Sequence, residues 1–283
     1  MISLLFVSPK TYSEMLRKLA GLTAIEVYVT TALLRLIPDV ADIFKQLESY
    51  VVPIATIKGF ELAKLNPVGL IAALVTAFLF YHFQLHNKLE KPFRVRQRFD
   101  IDEIILPLAS SVGVTLTDAQ KARIETERHS VMRQVFYKYA SSSGADTLVD
   151  SHDIERALEA WSKFWACEEA VVVLTVGLVV SLLYGQLVLI MIFLVPVTLC
   201  LIAMARMGPT LAGRGRAQID QIAADPTARL EVSQYLRAFS HRIESGRDSQ
   251  AIADVIHDSG WMEASMDGQI TVDGSTVAGA DRG

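Results

Sequence analysis

The chain has 283 residues, of which 51% are hydrophobic and 20% are charged, and its mean hydropathy is positive. It is more apolar than a typical soluble domain, and its apolar residues are concentrated in blocks, which indicates a membrane protein. The formal net charge of −4 combines basic clusters beside these blocks with an acidic segment after Ala217, so the sequence disfavours nucleic-acid binding.

The N-terminal membrane region, residues 1–86, contains two candidate spans. Residues 22–37 form the weaker candidate, because this segment is short and carries Glu26 and Arg35, so it either crosses the bilayer or lies in its interface. Residues 66–86 form the stronger candidate, since they are long enough to cross and end in aromatic side chains typical of a membrane interface. The apolar start of the chain is followed by basic residues instead of preceded by them, so no cleaved secretory signal is predicted.

A basic segment follows the second candidate span and predicts the orientation of the chain. It carries five cations against the single acid Glu90, so the positive-inside rule assigns it to the cytoplasm. Arg206, just after the last apolar run, has no acidic neighbour and assigns the C-terminal region to the same side. Four spans with both ends inside is the simplest topology, and three spans with the N-terminus outside is the alternative. The five cations are Lys88, Lys91, Arg94, Arg96 and Arg98.

Residues 87–168 are predicted to form a cytoplasmic helical region. Thr117 and Gln120 have the spacing of a capping box, and the helix that follows places Arg128 on its solvated face. A second amphipathic helix begins near residue 150, and nothing interrupts it before the next apolar run. This helix is therefore expected to continue into the membrane, with Trp161 and Trp165 at the level of the lipid headgroups.

Residues 169–206 are predicted to form a tight transmembrane hairpin. The run Ala170–Ala205 contains no Asp, Glu, Lys or Arg, and as one straight helix it would be much longer than a bilayer is thick. Gly185 and Gln186 interrupt this run, because a flexible glycine beside the only strongly polar side chain marks a turn. Pro196 is expected to kink the second helix of the hairpin.

Residues 207–261 are predicted to form a second cytoplasmic helical region. Gly208-Pro209 and the glycines at 213 and 215 are expected to end the hairpin helix, and a new helix is expected to begin after Asp225. Residues 262–283 contain few large apolar side chains and are predicted to be a disordered acidic tail.

The sequence predicts no catalytic residue, no cofactor-binding residue and no metal ligand set. Cys167 and Cys200 lie on different predicted helices and are expected to be inert buried thiols. Glu168 and Glu169 at the mouth of the hairpin would form a ring of acids if several copies surrounded a pore, or they are ordinary acids at the end of a span. Glu26 matters for function only if its segment lies inside the membrane.

Together these patterns predict an all-α, multi-pass helical membrane protein with three to four spans, in a bacterial inner (cytoplasmic) membrane, with a cytoplasmic C-terminus. Its arrangement of helix, two tight spans and helix is similar to subunits of secretion or conjugation machines and to hairpin effectors of phage-defence systems, by architecture alone.

Two functional hypotheses follow from this architecture. The first is a non-enzymatic subunit or scaffold of an envelope complex, which docks other membrane or cytoplasmic proteins, or further copies of itself, through its cytoplasmic helices. The alternative is a membrane effector that oligomerises through its hairpin and permeabilises the membrane on a signal.

Overall fold

A computed structural model describes residues 8–55, 66–84, 94–141 and 147–244, and these residues are helical without any strand. The predicted tail 262–283 and the cations Lys88 and Lys91 lie outside these ranges. One compact unit comprises Met1–Ser240 and a second begins at His241. The helices are α1 (Tyr12–Leu34), α2 (Pro38–Ala55), α3 (Pro67–Phe83), α4 (Val95–Arg98), α5 (Leu106–Ser111), α6 (Asp118–Met132), α7 (Ser151–Leu183), α8 (Leu187–Ala224) and α9 (Pro226–Glu244), and the π-helical segments are π1 (Phe99–Ile105) and π2 (Arg133–Tyr137).

The weaker predicted span is part of a bent helix pair. Helix α1 begins well before residue 22, because Thr11 caps it by accepting a hydrogen bond from the backbone N–H of Glu14 at 3.2 Å. It ends at Leu34, and α2 leaves at an angle of 117° after Pro38. Residues 22–37 are therefore the second half of α1 plus the bend, and not one straight crossing.

Arg35, which weakened the sequence argument for a span, holds this bend together. Its guanidinium pairs with Glu48 of α2 at 2.8 Å and donates a hydrogen bond to Asn66 Oδ1 at 3.0 Å. Asn66 in turn caps α3 by accepting from the backbone N–H of Gly69 at 3.0 Å. The cation at the end of the apolar helix is therefore paired, and it joins α1, α2 and the start of α3.

Helix α3 lies against α1 but is shorter than the predicted span 66–86. It has 17 residues and ends at Phe83, where Gln84 adopts a left-handed conformation with φ of 45°. Close packing against α1 needs Gly69, because a Cβ at this position would lie 2.6 Å from Thr31 Oγ1. Its exposed side chains are mostly large and apolar: Ile71, Leu74, Val75, Phe78, Leu79, Tyr81 and Phe83.

Helices α7 and α8 form the predicted hairpin, with the turn where the sequence predicts it. Gly185 adopts a φ of 64°, which favours glycine, and Gln186 precedes the first residue of α8. The two helices pack along their length, and Phe193 of α8, which is fully buried, fills the space left by Gly177 of α7. Large apolar side chains remain exposed on both helices: Val176, Val179, Leu182, Leu183, Leu187, Val188, Met191, Val195, Leu199 and Leu201.

Helix α8 does not end at its glycines, contrary to the sequence expectation. It continues for 38 residues through Pro196 and Pro209 and ends only at Ala224. Packing explains part of this, because Gly215 allows Ile104 to approach: a Cβ at this position would lie 2.7 Å from Ile104 Cδ1. A favourable tertiary contact thus offsets the weak helix propensity of glycine, about 1 kcal/mol relative to alanine. The predicted boundary between hairpin and helical region at residue 207 is consequently not a break in the helix.

Helix α9 contacts the two residues that follow π2 and exposes less apolar surface than the hairpin does. Lys138 Nζ and Tyr139 Oη both donate to a carboxylate oxygen of Glu231 at 2.6 Å. Val232, Leu236 and Phe239 are buried, whereas Leu230 is 59% exposed.

Two described helices, α7 and α8, are long and apolar enough to cross a membrane. The number rises to three if α1 and the first part of α2 count as one broken span. Helix α3 is apolar but falls below this length. The lengths and compositions of these helices are consistent with a membrane location.

Candidate functional site

A cavity of about 150 Å³ lies where the described helices converge, at the end of the hairpin helices remote from the Gly185 turn. Five parts of the chain line it: α1, the π1 region, the π2 region, α7 and α8. Its wall combines aromatic and aliphatic side chains with a small number of polar groups, which is the usual composition of a small-molecule site. The polar groups are Arg96, Asp100, Tyr137, Arg214 and Gln218.

Asp100 is the buried acid of this site. It is 4% exposed and pairs with Arg128, whose Nη1 lies 3.1 Å from Asp100 Oδ2. Burial raises the pKa of Asp100 to about 6, although the positive charges of Arg96 and Arg128 act in the opposite direction. Arg128 was expected on a solvated face, but its side chain is only 14% exposed because it turns toward this carboxylate.

Arg96 belongs to the interior of the site and not to an exposed basic flank. Its guanidinium donates to Tyr137 Oη at 3.4 Å and lies 5.7 Å from the ring centroid of Trp165. Burial raises the pKa of the Tyr137 hydroxyl, and the nearby Asp100 charge acts in the same direction. Arg94 and Arg98 are exposed, and so is Arg206 beyond the hairpin.

The two predicted interfacial tryptophans form the aromatic wall of the cavity. Trp165 is only 3% exposed, and Tyr12 of α1 meets it edge-on with the ring centroids 6.4 Å apart. Trp161 meets Phe99 edge-on at 4.9 Å. The structure therefore turns Trp165 toward the protein interior instead of outward to lipid headgroups.

Both π-helical segments contribute to the cavity wall. Segment π1 supplies Phe99, Asp100 and Ile104, and π2 supplies Phe136 and Tyr137. A π-helical turn contains an extra residue and re-aims the side chains around it, and such turns occur frequently at functional sites. An extra residue within a helix leaves no signal in a 3.6-residue periodicity, so sequence reasoning missed this site.

A hydrogen bond between two buried side chains also connects α1 to α7. Thr23 Oγ1 donates to a carboxylate oxygen of Glu169, and both residues are almost fully buried. Glu168 is also buried, and Glu26 lies within electrostatic range of Glu169. Glu169, one of the two acids at the mouth of the hairpin, thus contacts α1 of the same chain.

The two cysteines are neighbours in space. Cys167 on α7 and Cys200 on α8 are both free, and their thiols are in hydrogen-bonding contact. They lie on different helices, as the sequence predicts, and the hairpin brings these two positions to the same level. Across the described ranges, no group of three or more His, Cys, Asp or Glu side chains has an arrangement that would hold a metal ion.

Comparison with known proteins identifies the family. No curated protein and no solved structure has a significant match to this chain. The YmfE protein family matches residues 11–238, which include α1 and about two thirds of α9. The matched segment thus contains both the hairpin and the buried charged cavity, and the chain belongs to the YmfE protein family.

Proposed function

We propose that this chain is a non-enzymatic, multi-pass protein of a bacterial inner membrane, which acts as a subunit or scaffold of an envelope complex, of the secretion or conjugation kind. Its helical region on the cytoplasmic side docks partner proteins, and the hairpin anchors that region in the bilayer. One observation carries the proposal: the two helices of the hairpin continue without a break into the helical region.

The continuity of these helices supports mechanical coupling between membrane and cytoplasm. Helix α7 has 33 residues and α8 has 38, so they extend about 50 Å and 57 Å at about 1.5 Å per residue. Their ends remote from the turn are also joined: Gln218 Nε2 donates to the backbone oxygen of Asp153 at 3.2 Å, and Gln221 Nε2 to its carboxylate at 2.6 Å. A displacement at one end of this helix pair is therefore transmitted to the other.

The proposed topology has three to four spans. Helices α7 and α8 are two of them, α1 is a third, and α3 would be the fourth, since it packs against α1 and exposes large apolar side chains. The exposed Arg94, Arg98 and Arg206 support a cytoplasmic position for the helical region.

Site-specific photo-crosslinking tests the docking role. A benzophenone amino acid at Leu230 of α9, 59% exposed, is compared with one at Leu199 of the hairpin, 60% exposed. In cells of the source organism, we expect Leu230 to form one crosslinked product of defined mass that Leu199 does not form, because only α9 faces the cytoplasm. The absence of any product at Leu230, in a protein that is intact in the membrane, would contradict a docking role for this helix.

A membrane-potential assay separates the scaffold from the effector. The chain is expressed inducibly in a bacterium with a potential-sensitive dye, beside a version in which residues 170–205 are replaced by an unrelated hairpin. A scaffold leaves potential and growth unchanged in both strains. Rapid depolarisation that requires the native hairpin would reject the scaffold and favour an oligomerising effector.

A further inference from the structure

Among the described residues around the cavity, cations outnumber acids. Arg96 and Arg214 line it together with one acid, Asp100, and that acid is already paired with Arg128. Among the described residues, the guanidinium groups of Arg96, Arg128 and Arg214 therefore accompany one carboxylate, that of Asp100, which is 4% exposed. Excess charge in a poorly solvated site is unfavourable unless a counter-charge is supplied.

Arg214 is the group with the most unused hydrogen-bonding capacity. It projects from α8 into the cavity wall and is partly buried, and it makes no hydrogen bond or ion pair with any described residue. The next arginine along the helix, Arg216, is instead paired with Glu103 at 3.2 Å. A guanidinium presents five donors in a planar fork that matches a carboxylate or a phosphate.

The rest of the wall is apolar and suits a hydrophobic group. Trp161, Phe99, Phe136 and Leu158 contribute to it, with Met15 from α1. The cavity volume is about 150 Å³, which is room for about five water molecules or for an apolar group about the size of benzene. Apolar walls of this kind favour displacement of water by an apolar group.

The position of the cavity along the hairpin fits a ligand from the membrane surface. Trp165 precedes the Gly185 turn by 20 residues, which is about 30 Å along α7. This length equals the thickness of a hydrocarbon core of about 30 Å. If the turn lies at one face of the bilayer, the cavity therefore lies at the headgroup level of the opposite face.

From the charge excess, the apolar wall and this position, we infer that the cavity binds an anionic amphiphile. Arg96 and Arg214 hold a carboxylate or phosphate group, and the apolar part of the molecule packs against Trp161 and Phe99. This chemistry belongs both to a lipid headgroup region and to a free acyl or alkyl phosphate. The site is separate from the proposed docking surface on α9, so binding of the amphiphile does not depend on a protein partner.

Tryptophan fluorescence of the purified full-length chain tests this inference. The chain has three tryptophans, and Trp261→Phe leaves only Trp161 and Trp165 beside the cavity. In phosphatidylcholine nanodiscs, hexyl phosphate should produce a saturable change in emission. Hexanol, which lacks the charge, and inorganic phosphate, which lacks the apolar group, should bind much more weakly. Equal responses to hexyl phosphate and hexanol would overturn the inference.

Charge and volume variants show whether the change comes from this cavity. Arg96→Gln and Arg214→Gln should each weaken hexyl phosphate binding about tenfold or more, the effect expected for one lost charge-assisted interaction. The exposed Arg206→Gln is the matched control and should bind as the parent does. Because Arg96→Gln removes an interior contact, Ala157→Leu provides a second approach: it fills the cavity without changing charge and should also abolish binding. Unchanged affinity in Arg214→Gln and Ala157→Leu would place the ligand elsewhere and refute the site.

The lipid composition of the nanodiscs distinguishes the two sources. If anionic phosphatidylglycerol competes with hexyl phosphate, the native occupant is a lipid headgroup. If phosphatidylglycerol does not compete but hexyl phosphate still binds, the occupant is a free amphiphile. Both outcomes support the site, and the absence of a saturable change in either type of nanodisc rejects it. Failure of this test leaves the crosslinking result at Leu230 unaffected, so the site and the docking role are tested separately.

Discussion

The contact between Gly177 and Phe193 determines how closely the hairpin helices approach. Phe193 is fully buried, and a Cβ added to Gly177 would lie 2.7 Å from its ring. Small residues allow membrane helices to pack closely, because no side chain separates their backbones. We therefore predict that Gly177→Ala and Phe193→Ala each destabilise the chain. The double variant should lose less free energy of unfolding than the sum of the two single losses.

The expected magnitudes follow from the geometry of this contact. Phe193→Ala removes a fully buried ring and should cost about 3–5 kcal/mol. Gly177→Ala forces a methyl group against the ring, and this overpacking should cost about 1–3 kcal/mol. The higher helix propensity of alanine offsets about 1 kcal/mol of that cost. In the double variant the new methyl group occupies space that the ring has left, so the coupling should be about 1–3 kcal/mol in favour of the pair.

Unfolding by sodium dodecyl sulfate in mixed micelles, followed by far-ultraviolet circular dichroism, measures these free energies. Gly213→Ala combined with Phe193→Ala is the matched control, since a Cβ at Gly213 meets no atom within 4 Å, and its effects should add. Additivity of the Gly177 and Phe193 variants within about 0.5 kcal/mol would refute the close packing of the hairpin.

We make three further predictions, for the buried acid Asp100, the helix cap Thr117 and the pair of thiols at Cys167 and Cys200. Because burial raises the pKa of Asp100 to about 6, the folded state binds this proton more tightly than the unfolded state; stability should fall as the pH rises from about 4 to about 6, by up to about 3 kcal/mol. Asp100→Asn should flatten that slope in a pH series of unfolding curves, and an unchanged slope would exclude Asp100 as its origin. Thr117→Ala removes the capping-box hydroxyl and should cost about 1 kcal/mol in the same assay, whereas Thr117→Ser should cost little. Oxidation by copper phenanthroline should join Cys167 to Cys200 and block maleimide labelling of both thiols; continued labelling at the level of a Cys200→Ser variant would contradict their contact.

The sequence predicted the features that depend on local patterns. The charge-free run and Gly185 located the hairpin and its turn, and the Thr117 and Gln120 pair formed the expected capping box. Helix α7 continues from residue 151 to Leu183 as expected, because no helix-breaking residue interrupts it. Composition and short-range spacing were sufficient for these elements.

The features that depend on long-range contacts could not be predicted. Helix α8 continues past Gly208 and Gly213, and Gly215 meets Ile104, which is more than a hundred residues away in the chain. Arg96 was assigned to the membrane flank by its neighbours, although its burial results from Tyr137 and Trp165. The sequence around one residue rarely identifies a distant contact of this kind, because the periodicity of a helix shows which face is buried but not which element packs against that face.

The length of the hairpin helices makes the cavity sensitive to small changes in helix tilt. Phe193, at the close contact with α7, and Gln218, at the cavity wall, are 25 residues apart on one helix, or about 38 Å. A tilt of about 5° between the two helices around that contact would displace the cavity end by about 3 Å, and membrane helices adjust their tilt to bilayer thickness. A change in bilayer thickness that tilted α8 against α7 by this angle would therefore change the width of the cavity.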